Sequence, residues 1–410
     1  MGETFLNITS EIGKLKAVLL HRPSREVENL VPEYLERLLF DDIPYLKIAQ
    51  QEHDAFAKVL QDNGAHVYYI ENMLEDVLAD RAIRNSFINV FLDESNISGK
   101  SVRPVLEEYL SSLDTKELVC MLIAGVRKKD MPEDMQNKLP EASDSSYIFY
   151  IDPMPNLYFT RDIGAVIGNG LSISKMKTEA RKRETLLLKL IYDHHPLFKG
   201  SDAPLWYGRE LPYSIEGGDE LVLNSEMIAV GCSERTDPKA IETLAKNIFK
   251  RGKFKKVLVL DIPKCRAFMH LDTVFTMVDY DKFTIHPGIE GPMNLYILTP
   301  DFDGGIKSSY QTDTLENILK SQLKLDSVEL IRCGGGDPIV AAREQWNDGS
   351  NTLSIAPGVV ITYERNYVSN ELLSKHNIKV ITIASSELSR GRGGPRCMSM
   401  PLIREDVGTL

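Results

Sequence analysis

Short apolar runs recur in pairs along the chain, each pair parted by a few turn-forming residues. Ile163–Ile167 and Leu171–Ser174 flank Gly168-Asn169-Gly170, and Asn-Gly signals a hairpin because both residues tolerate the left-handed backbone of a tight turn. Leu221–Leu223 and Met227–Val230 flank Asn224-Ser225. Thr273–Val278 and Lys282–Ile285 flank Asp279-Tyr280-Asp281, and Leu353–Ala356 and Val359–Tyr363 flank Pro357-Gly358. The pattern predicts four β-hairpins.

After each hairpin the apolar spacing lengthens to that of a helix, and one further strand follows. Asp237 is suited to cap a helix with Pro238 in its first turn, Ile241, Leu244, Ala245, Ile248 and Phe249 on one face, and Gly252 at its end. The strand Val257–Asp261 comes next. Leu315, Ile318, Leu319 and Leu323 precede Val328–Ile331, Leu186–Ile191 precede Leu205–Tyr207, and Leu372 and Leu373 precede Val380–Ile383. This makes a ββαβ unit, complete four times. A fifth helix and strand, Ile43–Leu60 and Val67–Ile70, lie near the start beside one earlier strand, Lys16–His21. The missing strand is supplied by Met398–Leu402, and pairing terminal strands removes sheet edges. Such self-similarity predicts a circular repeat architecture.

Between residues 72 and 146 the hairpin signals stop. Val77, Ile83, Phe87, Val90 and Phe91, then Val105, Leu106, Tyr109 and Leu110, follow helical spacing, until Pro132 and the polar segment Glu141–Ser146 end it. This predicts an inserted α-helical domain at 72–146 in the first unit, with 1–71 and 147–410 forming the repeat domain.

Composition narrows the function. A net charge of −11 disfavours nucleic acid or an acidic membrane as the main partner. There is no apolar stretch long enough to span a bilayer, and Met1–Phe5 lacks the basic and apolar regions of a signal peptide, which predicts a cytoplasmic protein. Five scattered cysteines, Cys120, Cys232, Cys265, Cys333 and Cys397, contain no C-x-x-C pair. They suit a reducing compartment and predict neither disulfides nor zinc. No metal or cofactor motif is present, and Gly334-Gly335-Gly336-Asp337 predicts only a turn.

Chemistry gathers at one position in every unit, just before its hairpin. The first unit has Asn156, Phe159, Arg161 and Asp162, the second Glu216-Gly217-Gly218-Asp219, and the third His270-Leu271-Asp272. The fourth has Asp348-Gly349-Ser350-Asn351, expected to be an ordinary capped turn. Cys397 precedes the closing strand and follows the basic stretch Arg390-Gly391-Arg392-Gly393-Gly394, whose cations are expected to lower its thiol pKa. A ring would bring these residues to its axis. Two carboxylates such as Asp162 and Asp272 suit a flat, permanently charged guanidinium. A thiolate can attack its central carbon, and the substrate's own charge favours that thiolate. Histidine can protonate the leaving nitrogen and later deprotonate water, with Glu216 orienting the ring.

The motifs Leu38–Asp42, Asp152–Asp162, Ile215–Asp219, Ser233–Thr236, Met269–Thr273 and Arg396–Pro401 together resemble the bacterial arginine deiminases of the guanidine-modifying superfamily. The resemblance spans essentially the whole chain. It implies a five-bladed, pseudo-symmetric α/β propeller of ββαβ units with an inserted helical domain. It also implies hydrolysis of L-arginine to L-citrulline and ammonia through a covalent thiouronium on cysteine, without a cofactor, in a homo-oligomer. By position, Cys397 is the implied nucleophile, His270 the acid and base, Glu216 its partner, and Asp162 with Asp272 the guanidinium clamp. Asn156, Phe159, Arg181 and Arg235 are implied to bind substrate, with Arg183 an alternative to Arg181, and Arg392 to close over the pocket. Arg396 is given no role. Alternatives are an agmatine deiminase, an amidinotransferase, or a non-catalytic arginine-binding protein. A papain-like protease fits less well, because its cysteine precedes its histidine.

Overall fold

The structure, a computed structural model, describes residues 5–137, 147–291 and 293–408. The segment Glu141–Ser146, expected to close the helical insertion, lies outside them, as do Met1–Thr4.

The four complete units form as predicted. Gly164–Ile167 and Gly170–Ile173 are antiparallel, and Gly170–Ile173 runs parallel to Leu205–Tyr207 after helix Lys182–His194. Glu220–Asn224, Met227–Cys232, helix Pro238–Arg251 and Lys256–Asp261 repeat the scheme. So do Phe275–Met277, Lys282–Ile285, helix Leu315–Leu323 and Glu329–Arg332. The last complete unit is Leu353–Ala356, Val359–Tyr363, helix Tyr367–Lys375 and Lys379–Ile383. A parallel pair cannot be joined by a tight turn, so each unit needs its crossover helix. Asp237 caps its helix as expected, accepting from Lys239 N at 2.8 Å.

The fifth unit is shared by both ends of the chain. Met400–Arg404 lies antiparallel to Leu15–Leu20, which pairs in parallel with His66–Tyr69 after helix Leu46–Asp62. Successive units are stitched together. Ile8 and Gly168 exchange backbone hydrogen bonds of 2.8 and 2.7 Å, Glu11 N donates to Val222 O at 2.7 Å, and Gly358 N donates to Val278 O at 3.0 Å. Thr160 Oγ1 donates to Leu19 O at 3.0 Å.

A further hairpin and a further helix are among the elements that the apolar pattern did not predict. Asn294–Pro300 and Ile306–Gln311 form an additional hairpin that extends the second unit's sheet from Lys256–Asp261. Helix Pro338–Trp346 begins with Asp337 capping Ile339 and Val340, the same Asp-Pro signature that revealed the helix at Pro238. The helices Ile70–Leu78, Arg81–Glu94, Val102–Ser112 and Thr115–Ala124 lie between the fifth unit and the first, and not within the first. Leu74, Phe91, Leu106 and Leu122 share one continuous core with Leu187, Trp206 and Ile228. Among the described residues no helix is long and apolar enough to cross a membrane.

Helix Leu46–Asp62 buries His53 with neither ring nitrogen hydrogen-bonded. Burial, then the neighbouring His21, push its pKa down to about 4. His21 is held protonated, since Glu71 at 2.9 Å and Glu26 at 3.2 Å outweigh its burial. Folding therefore selects neutral His53. The stability this contributes is complete above the unfolded pKa of about 6.5 and is lost as pH falls through the folded value. The expected loss is about 3 kcal/mol in the acid limit. His53→Leu should flatten that decline, checked by urea unfolding of both proteins across the same pH range; identical slopes would show that His53 is not the source.

Candidate active site

The residues before each first strand converge because short turns of the same shape hold them. Glu216 ends an extended segment and Gly217–Asp219 turn tightly behind it. A Cβ on Gly218 would stand 2.7 Å from the His270 ring, so only glycine lets the second and third units approach this closely. Asp219 locks the contact, accepting from Leu271 N at 2.7 Å and from the Ser233 and Thr236 hydroxyls at 2.6 Å each.

This places His270 Nε2 2.8 Å from Glu216 Oε2, with Nδ1 3.8 Å from Asp162 Oδ1. Both carboxylates come from other units. Burial alone would lower the imidazole pKa, but Asp162 and the Glu216 hydrogen bond raise it to about 9. Burial opposes ionisation of Glu216 as well. Arg235, 3.7 Å away, and His270 overcome it and hold the carboxyl at about 2.

Cys397 is buried, its N–H donating to Asn351 Oδ1 at 3.0 Å and its carbonyl accepting from Arg161 N at 3.0 Å. Its sulfur lies 3.7 Å from Asp272 Oδ2. The expectation of a depressed thiol pKa is corrected. Burial, then Asp272, Asp162 and Asp348, push it well above the ordinary value, against an opposing pull from Arg396. The cations adjacent in sequence are engaged elsewhere. Arg390 pairs with Asp42 and Glu387, while Arg392 lies over the Trp346 ring with Cζ 3.5 Å from the centroid.

Of the two arginine alternatives, Arg181 joins the site. It donates to Asp162 Oδ2 at 2.5 Å, to Glu184 at 2.8 Å and to the Asn156 carbonyl at 3.1 Å. Arg183 turns away to the Asp152 carbonyl at 2.7 Å and lies over Phe91. Asn156 Nδ2 donates to Leu38 O at 2.7 Å. Phe159 packs on Tyr158, and a Cβ on Gly393 would collide with its ring. Buried polar atoms without a hydrogen-bond partner here include the acceptors Asp162 Oδ1 and Asp348 Oδ2, and the donors Arg235 Nε and Arg392 Nε and Nη1. Unpaired carboxylate oxygens and unpaired guanidinium nitrogens together suit a ligand that carries both a cationic and an anionic group.

The fourth unit was undervalued. Asn351 bridges Cys397 N and the Asp272 carbonyl, the latter at 3.0 Å. Asp348 is buried in left-handed conformation, and burial, relieved by Arg392 but reinforced by Asp272 and Asp162, raises its pKa to about 7. Its position before the hairpin carried the signal, though its residue types looked like a turn. Arg396 also has a place, donating to Asp272 Oδ2 at 2.7 Å and Glu11 Oε2 at 3.0 Å. A groove of about 950 Å³ at the opposite strand ends, near Asn169, Asn224 and Tyr280, holds none of these groups.

Similarity to known proteins extends over nearly the whole chain. The arginine deiminase family pattern matches residues 36–404. The chain is 55% identical to the arginine deiminase of Bacillus cytotoxicus over 407 residues, 98% of this chain and 99% of that one. An amidinotransferase from Microseira wollei in the saxitoxin biosynthetic pathway has the same fold, with TM-score 0.55 and 15% identity over 98% of both chains. A dimethylarginine dimethylaminohydrolase matches with TM-score 0.51 and 14% identity, over 94% of this chain and 99% of that one. These two show a shared mixed α/β fold.

The raised thiol pKa has a measurable sign. Asp272→Asn removes the nearest charge repelling a thiolate, so Cys397 should titrate at lower pH and be alkylated faster at neutral pH than in the parent. The check is the pH profile of iodoacetamide labelling at Cys397, read by mass spectrometry. An unchanged or upward-shifted profile would show that Asp272 does not set the thiol's charge.

Proposed function

The chain belongs to the arginine deiminase family, a hydrolase activity converting L-arginine and water to L-citrulline and ammonia, and we propose that Cys397 carries out this reaction through a covalent thiouronium. The observation that carries the assignment is the convergence of Cys397, His270 bonded to Glu216, Asp162 and Asp272 from different units. A guanidinium entering between Asp162 and Asp272 brings the positive charge that the buried thiol lacks, so the thiol gives up its proton to solvent and the thiolate forms with its substrate in place. Sulfur attacks the guanidinium carbon. The tetrahedral adduct loses one nitrogen as ammonia, which takes its proton from His270. The imidazole, now neutral, removes a proton from water, which adds to the thiouronium carbon. Collapse of that adduct breaks the C–S bond and releases citrulline.

Because Nε2 of His270 is held by Glu216, Nδ1 is the nitrogen that faces the reacting carbon. A histidine with pKa near 9 is protonated before the first step, as an acid must be. Arg235 contributes its free Nε to the substrate carboxylate, with Arg181 and Asn156 behind it, Phe159 lining the pocket and Arg392 closing its mouth. The same reading takes the five units as a closed five-bladed α/β propeller of residues 1–71 and 147–410, carrying a helical insertion at 72–146. It also takes the protein as a cytoplasmic homo-oligomer that needs no cofactor.

Purified protein should release citrulline and ammonia from arginine in equal amounts, and Cys397→Ser should abolish this while leaving the fold intact, since a hydroxyl has far too high a pKa to replace the thiolate. Citrulline formation by the serine variant at the parent rate would overturn the nucleophile assignment.

Substrate choice tests the other end of the pocket. Agmatine lacks the carboxylate and leaves Arg235 facing nothing, so it should react orders of magnitude more slowly than arginine. Arg235→Ala should harm arginine turnover and barely alter agmatine turnover. The ratio of kcat/KM for the two substrates in both proteins decides the matter, and an unchanged ratio would return the assignment to an agmatine deiminase.

A further inference from the structure

Trp346 ends helix Pro338–Trp346, two residues before Asp348. The indole is 48% exposed, unusual for a large aromatic side chain beside a buried catalytic pocket. The guanidinium of Arg392 lies on its ring, with Cζ 3.5 Å from the centroid. Arg392 is only 7% exposed, and neither Nε nor Nη1 has a hydrogen-bond partner. The nearest carboxylate paired with it is Asp41 at 3.9 Å, beyond hydrogen-bond range. The indole face is therefore the closest contact fixing this cation in the fold.

The charges of Asp348 and Asp41 also attract this cation, though neither accepts a hydrogen bond from Nε or Nη1, and the backbone around it is tightly fixed. Gly391 and Gly393 sit so tightly against Tyr158 and Phe159 that a Cβ at either position would collide with those rings. Arg392 itself has φ +64°, a left-handed conformation that non-glycine residues adopt at a cost. Arg390 cannot take its place, because Asp42 and Glu387 hold it outward.

We propose that Trp346 is a positioning residue that seats Arg392 across the mouth of the arginine site by a cation–π contact, and that it governs substrate retention more than the chemical step. The proposal rests on the reading in which Arg392 closes over the pocket. Indole is the strongest of the aromatic faces for a cation, and partial desolvation strengthens the contact. Loss of the seat opens the mouth to water without disturbing Cys397, His270 or Glu216.

The test is a double-mutant cycle on citrulline formation from arginine, using Trp346→Ala, Trp346→Phe, Arg392→Ala and the double alanine variant. Trp346→Ala should raise KM about tenfold with kcat within about twofold of the parent. Trp346→Phe should recover most of that loss. The double variant should be no worse than Arg392→Ala alone, because the two side chains act as one unit. Trp346 also reports on itself: the only other tryptophan, Trp206, is buried and bonded to the Ile167 carbonyl at 2.7 Å. The emission of the parent minus that of Trp346→Phe isolates the indole, and this difference spectrum should change when Arg392 is replaced by alanine. Additive losses in the cycle, a fall in kcat at constant KM, or an emission insensitive to Arg392 would each overturn the proposal. A parent protein that makes no citrulline would instead remove the deiminase reading on which it rests.

Discussion

The buried guanidinium of Arg396 is the contact on which both fold and site depend. It lies between Glu11 at 3.0 Å and Asp272 at 2.7 Å, with the Glu220 carbonyl as a third acceptor at 3.0 Å. Glu11 stands just before the first strand of the chain and Arg396 just before the last, so the ion pair fastens the fifth unit where its two halves meet. The same guanidinium holds Asp272 beside the Cys397 sulfur. A buried charge stripped of its partner costs about 3–5 kcal/mol, so none of the three charged groups is separable from the others.

The site as a whole is built from such pairs. Asp162 is matched by Arg181, Asp272 by Arg396, and Glu216 by Arg235 and His270. Each carboxylate has a cation beside it that compensates its burial, and one oxygen of Asp162 has no hydrogen-bond partner. Asp348 has no ion-pair partner within bonding distance and its pKa rises to about 7 accordingly. The protein's own guanidinium groups thus tune an environment meant for a guanidinium substrate. The thiol experiences burial and the sum of these charges, which push its pKa upward and favour its neutral form.

Much of this was legible in the sequence, for local reasons. The hairpin at Gly168-Asn169-Gly170 and the Asp237-Pro238 cap are strong because one or two residues dictate the backbone; both formed, though the turn is made by Gly168-Asn169 with Gly168 left-handed, and Gly170 already belongs to the strand. The repeat then located the site, since equivalent positions must converge whatever residues they carry. The hairpin at Asn294–Gln311 escaped because it breaks the repeat. The thiol's pKa was misjudged for a different reason. Proximity in sequence was taken for proximity in space, yet Arg390 and Arg392 point to Asp42 and Trp346, while Asp272 approaches from 125 residues away. Arg181 and Arg183 are likewise indistinguishable by type, and only the end of the short turn before helix Lys182–His194 decides which faces Asp162.

The shared fifth unit has a consequence for the order in which the protein becomes itself on the ribosome. Strand Leu15–Leu20 is made early, yet one of its two neighbours, Met400–Arg404, follows only after nearly all the rest. Glu11 waits across 385 positions for Arg396. Until then the nascent chain carries one open sheet edge and an uncompensated acid, and contacts this distant in sequence form late. Cys397 arrives with the closing strand. The segment that seals the fold is also the one that delivers the proposed nucleophile, so under that reading reactivity appears only as the architecture is completed.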